Sequence, residues 1–189
     1  GPSYLSAGVG FGGELFSHDI LTLSNEVSKK GIKSRLLEQV WQINEDQKEL
    51  LFRKLWNYYQ SDIAGKTVAI WGAAFKENTS NINNSPVHAL LKALWAQGIQ
   101  VRLHDPEALS EMKEFYGERD DLHYCLDQYE VVQGADALCI VTAWRQYFSP
   151  DYSRLLGAMT VPLLLDGRNI YDKINLCELG FIYEGIGRS

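Results

Sequence analysis

Short apolar runs rich in β-branched residues alternate with helical segments beyond Gly65, and this alternation constrains the fold more than any other feature of the chain. Helices are expected over residues 85–97, 107–116, 126–133 and 152–156. The runs between them predict strands at TVAIW (67–71), QVRLH (100–104), DALCIVT (136–142) and PLLLD (162–166). Because strands that alternate with helices build a parallel sheet covered on both faces, the sequence predicts an α/β fold.

A helical arm is predicted before this region. Apolar residues return at helical spacing between residues 18 and 62, and Gly31 divides the segment into a short and a long helix. The long helix, over residues 33–61, would span about 40 Å, which exceeds the width of a small domain. We therefore predict that its apolar stripe forms a homodimer interface; a core helix lying along the sheet is the alternative. A joint at residues 63–66 predicts domains over 4–64 and 65–189.

The acidic balance of the chain argues against two classes of partner. The 189 residues carry a formal net charge of −6, whereas surfaces that bind nucleic acid or anionic lipid need clustered Lys and Arg. No apolar run reaches the roughly 18 residues that cross a bilayer. We therefore expect a soluble, cytoplasmic protein that binds neither nucleic acid nor membrane.

The three cysteines, Cys125, Cys139 and Cys177, are far apart and lack the spacing of a metal site or a disulfide framework. Cys139 lies in the third predicted strand, where a small buried hydrophobe is a better interpretation than a reactive thiolate. We expect reduced thiols, no metal site and no catalytic cysteine.

A glycine-rich segment, GVGFGG, places Gly8, Gly10 and Gly13 at the G-x-G-x-x-G spacing of a dinucleotide site. That motif binds a dinucleotide only where a strand delivers the glycines to the start of a helix, and too few residues precede them here for a strand. Glycines nevertheless allow backbone amides to approach a ligand closely. The segment therefore predicts a ligand-contacting loop and not a dinucleotide fold.

Two further segments follow predicted strands, at the sheet edge where such folds bind ligands. In WGAAFK, Phe75 could border a sugar or base and Lys76 could meet an anion, although a solvated lysine is the commoner case. In LLLDGRNIYD, Arg168 follows Asp166 on a glycine-bearing turn. Its planar fork of donors suits phosphate or sugar oxygens, and a structural ion pair is the alternative.

Several motifs occur in a fixed order: YLSAGVGFGGELFSHD, INEDQ, GKTVAIWGAAFKENTSNINNSP, VRLHDP, GADALCIVTAW, LLLDGRNIYD and GFIYEGIGR. Together they resemble the middle and C-terminal parts of the UDP-glucose dehydrogenase family. The resemblance implies a dimerising helical region and a Rossmann-like domain that holds a UDP-sugar, with an NAD-binding domain upstream. By position it implies these substrate-binding residues: Tyr4, Ser6, Gly10, Phe11, Gly12, Phe75, Lys76 and Arg168.

The chain departs from the family's catalytic loop. The family reads GGSCFPKD where this chain reads GGELFSHD, so that Leu15 stands at the position of the nucleophilic cysteine. In the family a thiolate captures the aldehyde intermediate of a two-step alcohol oxidation, which an isobutyl side chain cannot do. His18 replaces the loop lysine with a group that is mostly uncharged at neutral pH. Of the catalytic residues that the resemblance implies, Asp19 alone is kept, where the family uses an aspartate to help orient water.

A second departure affects the implied cofactor. The family's FKPNTDDxRESP becomes FKENTSNINNSP, which places Asn83 where an arginine contacts the NAD diphosphate. Loss of that cation removes a charge-assisted hydrogen bond worth about 1.5–3 kcal/mol. Ser80 and Asn81 also replace acidic residues. We therefore expect that this chain does not bind NAD tightly.

Three hypotheses follow for function. In the first, the chain binds a UDP-sugar and dimerises but belongs to a homologue that has lost the two-step 6-oxidation, with a role in polysaccharide biosynthesis. In the second, the parent protein is an active NAD-dependent enzyme that performs one cysteine-independent oxidation. In the third, the chain is a dimerisation domain whose crevice binds nothing. The sequence leaves the sugar and the base open.

Overall fold

Six parallel strands form the centre of the molecule in a computed structural model that describes residues 6–32 and 35–188. The strands are β1 Thr67–Trp71, β2 Gln100–His104, β3 Leu122–Tyr124, β4 Ala137–Ile140, β5 Leu163–Asp166 and β6 Ile182–Gly185. They form one sheet in the order β3-β2-β1-β4-β5-β6. The strand order therefore reverses between β1 and β4, and the predicted α/β fold is confirmed.

Seven α-helices and one 3-10 turn, Arg145–Tyr147, accompany the sheet within the same described ranges. The α-helices are α1 Glu14–Lys29, α2 Arg35–Lys48, α3 Leu50–Tyr58, α4 Pro86–Trp95, α5 Leu109–Tyr116, α6 Tyr152–Ala158 and α7 Lys173–Glu178. The start of α4 is set locally, because the Ser85 hydroxyl accepts a hydrogen bond from the Val87 amide and Pro86 occupies the first helical position.

The core lies in the central strands. Every residue of β4 and β5 is buried, and so are all residues of β1 after Thr67. Parallel strands covered on both faces need this continuous apolar character, which is why β1, β4 and β5 could be predicted from composition, whereas β2 alternates apolar and polar residues. β1 and β2 have the predicted bounds, whereas β4 and β5 are shorter than the runs that contain them.

Two edge strands and a short helix were not predicted. β3 has three residues and β6 alternates exposed and buried positions, so neither forms an apolar run like those of β1, β4 and β5. Their register comes from their neighbours, through the pairs Val101↔Leu122 and Leu163↔Ile182. The helix α7 has six residues and begins where Asp172 accepts a hydrogen bond from the Asn175 amide.

The helix predicted over residues 126–133 is wrong, because this segment forms turns. Side chains from the sheet take the carbonyl groups that a helix would use. The Trp71 indole donates to the Gln128 carbonyl, and Arg102 donates to the carbonyls of Glu130 and Gln133. Tertiary contacts therefore override the local helical spacing.

The single long helix predicted over residues 33–61 is also wrong. The segment divides at Glu49 into α2 and α3, and the first helix begins at Glu14 instead of residue 18. Arg53 donates to the Asp46 carbonyl at 2.6 Å, and a continuous helix would have bonded that carbonyl to the residue 50 amide.

The division of the arm assigns its apolar residues to two environments. Leu51 and Leu55 of α3 are 1% exposed and belong to the core beneath the sheet. Leu36 and Ile43 of α2 are 76% and 62% exposed. The core alternative therefore applies to α3, whereas the apolar stripe of α2 is open. None of the helices in the described ranges is both long and apolar enough to cross a membrane.

Candidate functional site

The glycine loop, residues 8–13, lies at the carboxyl end of the sheet. Its Val9 amide donates to the Gly167 carbonyl just after β5, at 3.1 Å. At its other end the Gly13 amide donates to the Asn83 carbonyl in the turn before α4, at 2.8 Å. The loop therefore bridges the segments that follow β5 and β1, where the two predicted binding motifs are found.

Helix α2 holds the glycine loop through polar side chains that sequence reasoning missed. Asn44 is buried, accepts a hydrogen bond from the Phe11 amide at 2.7 Å and donates to the Phe11 carbonyl at 3.2 Å. Gln47 donates to the Gly8 carbonyl at 3.1 Å. Gly10 has a φ of 88° and no room for a Cβ beside Asn44. The INEDQ motif, which places four polar residues in succession on one helix, was the available signal.

Phe75 packs directly against the glycine loop. A methyl group at Gly12 would lie 2.9 Å from the Phe75 Cβ and 2.5 Å from the Asn84 carbonyl oxygen. One at Gly13 would lie 2.9 Å from the Phe75 ring. These glycines are therefore required for close packing. Phe75 packs against the loop itself, whereas the sequence predicted that it would border a bound sugar or base.

Arg168 lies at the opposite end of the glycine loop. Its backbone amide donates to Asp166, and its Nε donates to the Val141 carbonyl at 2.5 Å. Its Nη1 is 2.8 Å from the point where Gly8 would carry a Cβ. Its Nη2 is buried and has no hydrogen-bond partner in the described part of the chain.

Burial also lowers the pKa of the Arg168 guanidinium, and the nearby carboxylates of Glu77 and Asp166 oppose this shift. No ion pair to Arg168 forms among residues 6–32 and 35–188, so the alternative of a structural ion pair has no contact to support it. Among the described residues the guanidinium of half-buried Arg168 donates only through Nε, and its buried Nη2 is left without a partner, which is the arrangement expected of an anion-binding group.

Lys76 adds a second cation near the other end of the loop. Its side chain is exposed, and its Nζ lies 5.5 Å from the centre of the Phe75 ring. The two predicted cations thus flank one loop. Ser6 is exposed in the irregular segment that leads into this loop, and Tyr4 lies outside the described residues.

Three residues of the segment that resembles the family's catalytic loop lie on α1 and face solvent. Leu15 is 82% exposed, and the side chains of His18 and Asp19 are each 76% exposed, with 4.0 Å between His18 Nδ1 and Asp19 Oδ1. Among the described residues, the polar side chains nearest to His18 are those of Thr22 and exposed Asp19, and no buried group is placed to activate them.

No cysteine replaces the missing thiol. Complete burial raises the pKa of Cys139 to about 12, and burial also raises the pKa of Cys125. Cys177 is exposed on α7, which packs on β6 at the sheet edge, away from α1. Among the described residues, no group of three or more His, Cys, Asp or Glu side chains is placed to hold a metal ion.

The positions that depart from the family pattern contact one another. The Asn83 amide donates to the Glu14 carboxylate at 2.5 Å, and the Asn84 amide donates to the Ser17 hydroxyl at 2.6 Å. Lys48, which is 3% exposed, donates to the Asn84 side-chain oxygen at 2.7 Å and pairs with Glu45 at 2.7 Å. The start of α1 is thereby attached to α2 and to the turn before α4.

Comparison with known proteins identifies the family. Residues 69–173 match the UDP binding domain of the UDP-glucose/GDP-mannose dehydrogenase family, and residues 1–46 match the central domain of the same family. The chain belongs to this family. The UDP-binding match contains Phe75, Lys76 and Arg168, whereas the central-domain match contains the glycine loop and Leu15.

Relatives and solved structures agree with this family. All of the chain aligns with UDP-glucose 6-dehydrogenases of Pseudomonas aeruginosa, at 42% identity, and Rhizobium meliloti, at 36%, and in each case it covers 42% of the relative. A UDP-glucose dehydrogenase structure from Pyrobaculum islandicum superposes with a TM-score of 0.79 and 28% identity, over 90% of this chain and 37% of that one. The chain thus spans less than half the length of these family members.

Substitution of Gly12 tests the packing of the loop. We expect Gly12→Ala to lower the free energy of unfolding by about 1–3 kcal/mol, because the new methyl group would overlap the Asn84 carbonyl. Gly157→Ala is the matched control: it lies in α6, has nothing within 4 Å of the new Cβ and should be neutral or stabilising by up to about 1 kcal/mol. Urea denaturation followed by circular dichroism measures both, and equal effects would contradict the close packing.

Proposed function

We propose that this chain binds a UDP-sugar between the glycine loop, the loop of Phe75 and Lys76, and Arg168, as the C-terminal part of a longer nucleotide-sugar dehydrogenase homologue. In this proposal residues 4–64 form the helical region and residues 65–189 form the UDP-sugar-binding unit. The observation that carries the proposal is the buried Arg168 Nη2, which has no partner within the described residues and belongs to a guanidinium whose Nη1 lies beside Gly8.

The chemistry of a nucleoside diphosphate suits this arrangement. A buried donor without a partner costs about 1–3 kcal/mol, and more for a charged group, so a ligand oxygen at that place recovers the loss. Phosphate oxygens accept from a guanidinium in a paired geometry that few other ligands match. Exposed Lys76 adds charge at the far end of the loop, and the absence of a Cβ at Gly8 allows the Arg168 guanidinium to lie against the loop backbone. The relatives' names, UDP-glucose 6-dehydrogenase, support the same ligand class.

Calorimetric titration with UDP tests this binding. We expect measurable heat with the wild-type chain, and affinity reduced about 10–100-fold in Arg168→Gln, because a charge-assisted hydrogen bond worth about 1.5–3 kcal/mol is lost. Arg154→Gln is the control, since Arg154 is an exposed arginine of α6 paired with Asp127 at 3.6 Å. Absence of heat with the wild type, or equal loss in both variants, would contradict a site at Arg168.

We also propose that the parent protein does not perform the two-step 6-oxidation. Leu15, at the position of the family's nucleophile, offers no group that could form a covalent intermediate. Asn83, at the position of the cofactor arginine, has its amide bonded to the Glu14 carboxylate, so a negative charge lies where the resemblance implies a positive one. These residues do not fit a dinucleotide diphosphate, which supports weak NAD binding. A role for the protein in polysaccharide biosynthesis rests on the family resemblance.

The alternative is an active enzyme that transfers a single hydride, and NADH stoichiometry distinguishes the two. With the chain extended upstream to its natural start, we expect no NADH above background from UDP-glucose and NAD. A single cysteine-independent oxidation would instead yield one NADH for each sugar, whereas complete oxidation to the acid yields two. Absorbance at the NADH band gives the ratio. Either yield would contradict the proposal that the parent protein does not oxidise the sugar.

A homodimer remains the proposed assembly, now through α2 instead of one long helix. Leu36, Val40 and Ile43 recur at helical spacing and are exposed, which leaves an apolar stripe that water disfavours. The exposed apolar residues of α1 lie on the neighbouring helix and would face the proposed upstream domain of the parent protein. They are Leu15, Phe16, Leu21 and Leu23.

Sedimentation equilibrium tests the assembly. We expect the wild-type chain to sediment as a dimer and the double variant Leu36→Glu, Ile43→Glu to sediment as a monomer, because two charges would be buried in the interface. Leu126→Glu serves as the control, since Leu126 is 88% exposed in the α/β region. A monomeric wild type, or an unchanged mass in the double variant, would contradict this interface.

A further inference from the structure

The crevice at which the strand order reverses is filled by the protein's own residues. Parallel α/β sheets usually bind ligands at this switch point, here between the carboxyl ends of β1 and β4. Gly72 follows β1 with a φ of 99° and packs directly against the side chain of Thr142. The Thr142 hydroxyl, which is buried, donates to the Ala74 carbonyl at 2.6 Å. The segment after β1, residues 72–76, is therefore held against the segment after β4.

Asp105 completes this closure from the end of β2. Its carboxylate is 2% exposed and accepts five hydrogen bonds. At Oδ2 the donors are the amides of Ala73 and Ala74, at 2.7 and 3.1 Å, and the indole of Trp144, at 2.9 Å. At Oδ1 they are the amides of Glu107 and Ala108, at 2.9 and 2.8 Å. One buried side chain thus joins the segments that follow three strands.

The position of Asp105 suggests a different role that the contacts exclude. In dinucleotide folds an acidic residue after a strand binds the ribose of the cofactor. Here both carboxylate oxygens are already saturated by the protein, so Asp105 has no free lone pair directed at a ribose. The carboxylate therefore acts on the protein and not on a ligand.

We infer that Asp105 is a positioning residue for the proposed UDP-sugar site, an inference that rests on the proposed function. Its bonds to Ala73 and Ala74 fix the direction in which the chain leaves β1, and Phe75 and Lys76 follow directly. Phe75 in turn supports Gly12 and Gly13. Asp105 thereby sets the glycine loop and Lys76 at their distance from Arg168 without touching the ligand.

The energetics favour a positioning role over simple stabilisation. A buried carboxylate is costly unless donors surround it, and no cation pairs with Asp105 in the described ranges. The adjacent His104 does not supply one at neutral pH, since burial lowers its pKa. An apolar residue would close the crevice at lower cost but could not orient two successive amides.

The Asp105→Asn variant tests the inference through UDP affinity and loop exchange. Asparagine has an NH₂ group in place of one carboxylate oxygen. That group would face N–H donors of the protein, so the five hydrogen bonds that Asp105 accepts, including those from the Ala73 and Ala74 amides, cannot all form. We expect UDP affinity to fall about tenfold or more, and amide hydrogen exchange to accelerate in residues 73–76. Asp136→Asn is the matched control, because Asp136 accepts from the Thr67 amide at 2.9 Å at the opposite end of the sheet. It should lower stability without changing UDP affinity.

Thr142→Val provides a second variant in case Asp105→Asn fails to fold. It keeps the shape of the side chain but removes the bond to the Ala74 carbonyl, and we expect UDP affinity to fall by about threefold or more. Wild-type affinity in a folded Asp105→Asn or in Thr142→Val, or an equal loss in Asp136→Asn, would overturn the positioning role. If the wild-type chain itself gives no heat with UDP, the proposed function fails and the positioning role fails with it.

Discussion

The contact on which the site depends is the close approach of two backbones that only glycine permits. Gly12 and Gly13 lie against Phe75 and the Asn84 carbonyl with no space for a Cβ, and Val9 bonds to Gly167 at the other end of the loop. Through this contact the N-terminal segment becomes part of the carboxyl edge of the sheet. Arg168 and Lys76 belong to segments far apart in the chain, and the loop brings them to a common border.

Hydrogen bonds join several of the positions at which this chain differs from the family's motifs. Glu14 bonds to Asn83, and Ser17 bonds to Asn84, which Lys48 also contacts. Each of these polar groups therefore has a partner supplied by another substituted position or by α2. Lys48 is 3% exposed, so its ammonium group in particular needs such partners. The set attaches the start of α1 to the α/β region, while Leu15, His18 and Asp19 face solvent.

The three helices of the arm differ in how far their apolar side chains are exposed. The residues of α3 that pack under the sheet make it part of the core, so that helix holds the arm in place. Helices α1 and α2 place large apolar side chains in solvent, more than isolated surface hydrophobes require. Such a surface is expected where a chain normally meets further protein. This agrees with a chain that spans less than half of its relatives.

The sequence by itself determined the α/β class, the four inner strands, the start of α4 and the segments that contain the candidate site. Those features depend on local composition: continuous apolar runs, a Ser-Pro cap and glycines in a short motif. The prediction that Leu15 stands at the position of the family's cysteine likewise rests on the sequence alone. The sequence could not find β3 and β6, because short edge strands are defined by the neighbour that pairs with them.

Only the tertiary structure decided which side chains support the site without having been predicted as site residues. Asn44, Asn84 and Asp105 lie in separate segments, and their polar character alone is equally typical of solvent-exposed residues. The break at Glu49 and the turns over residues 126–133 were likewise decided by side chains that take backbone carbonyls from another segment. The physical reason is common to all of them: a buried polar group must find its partner in space, and the distance along the chain does not record where that partner lies.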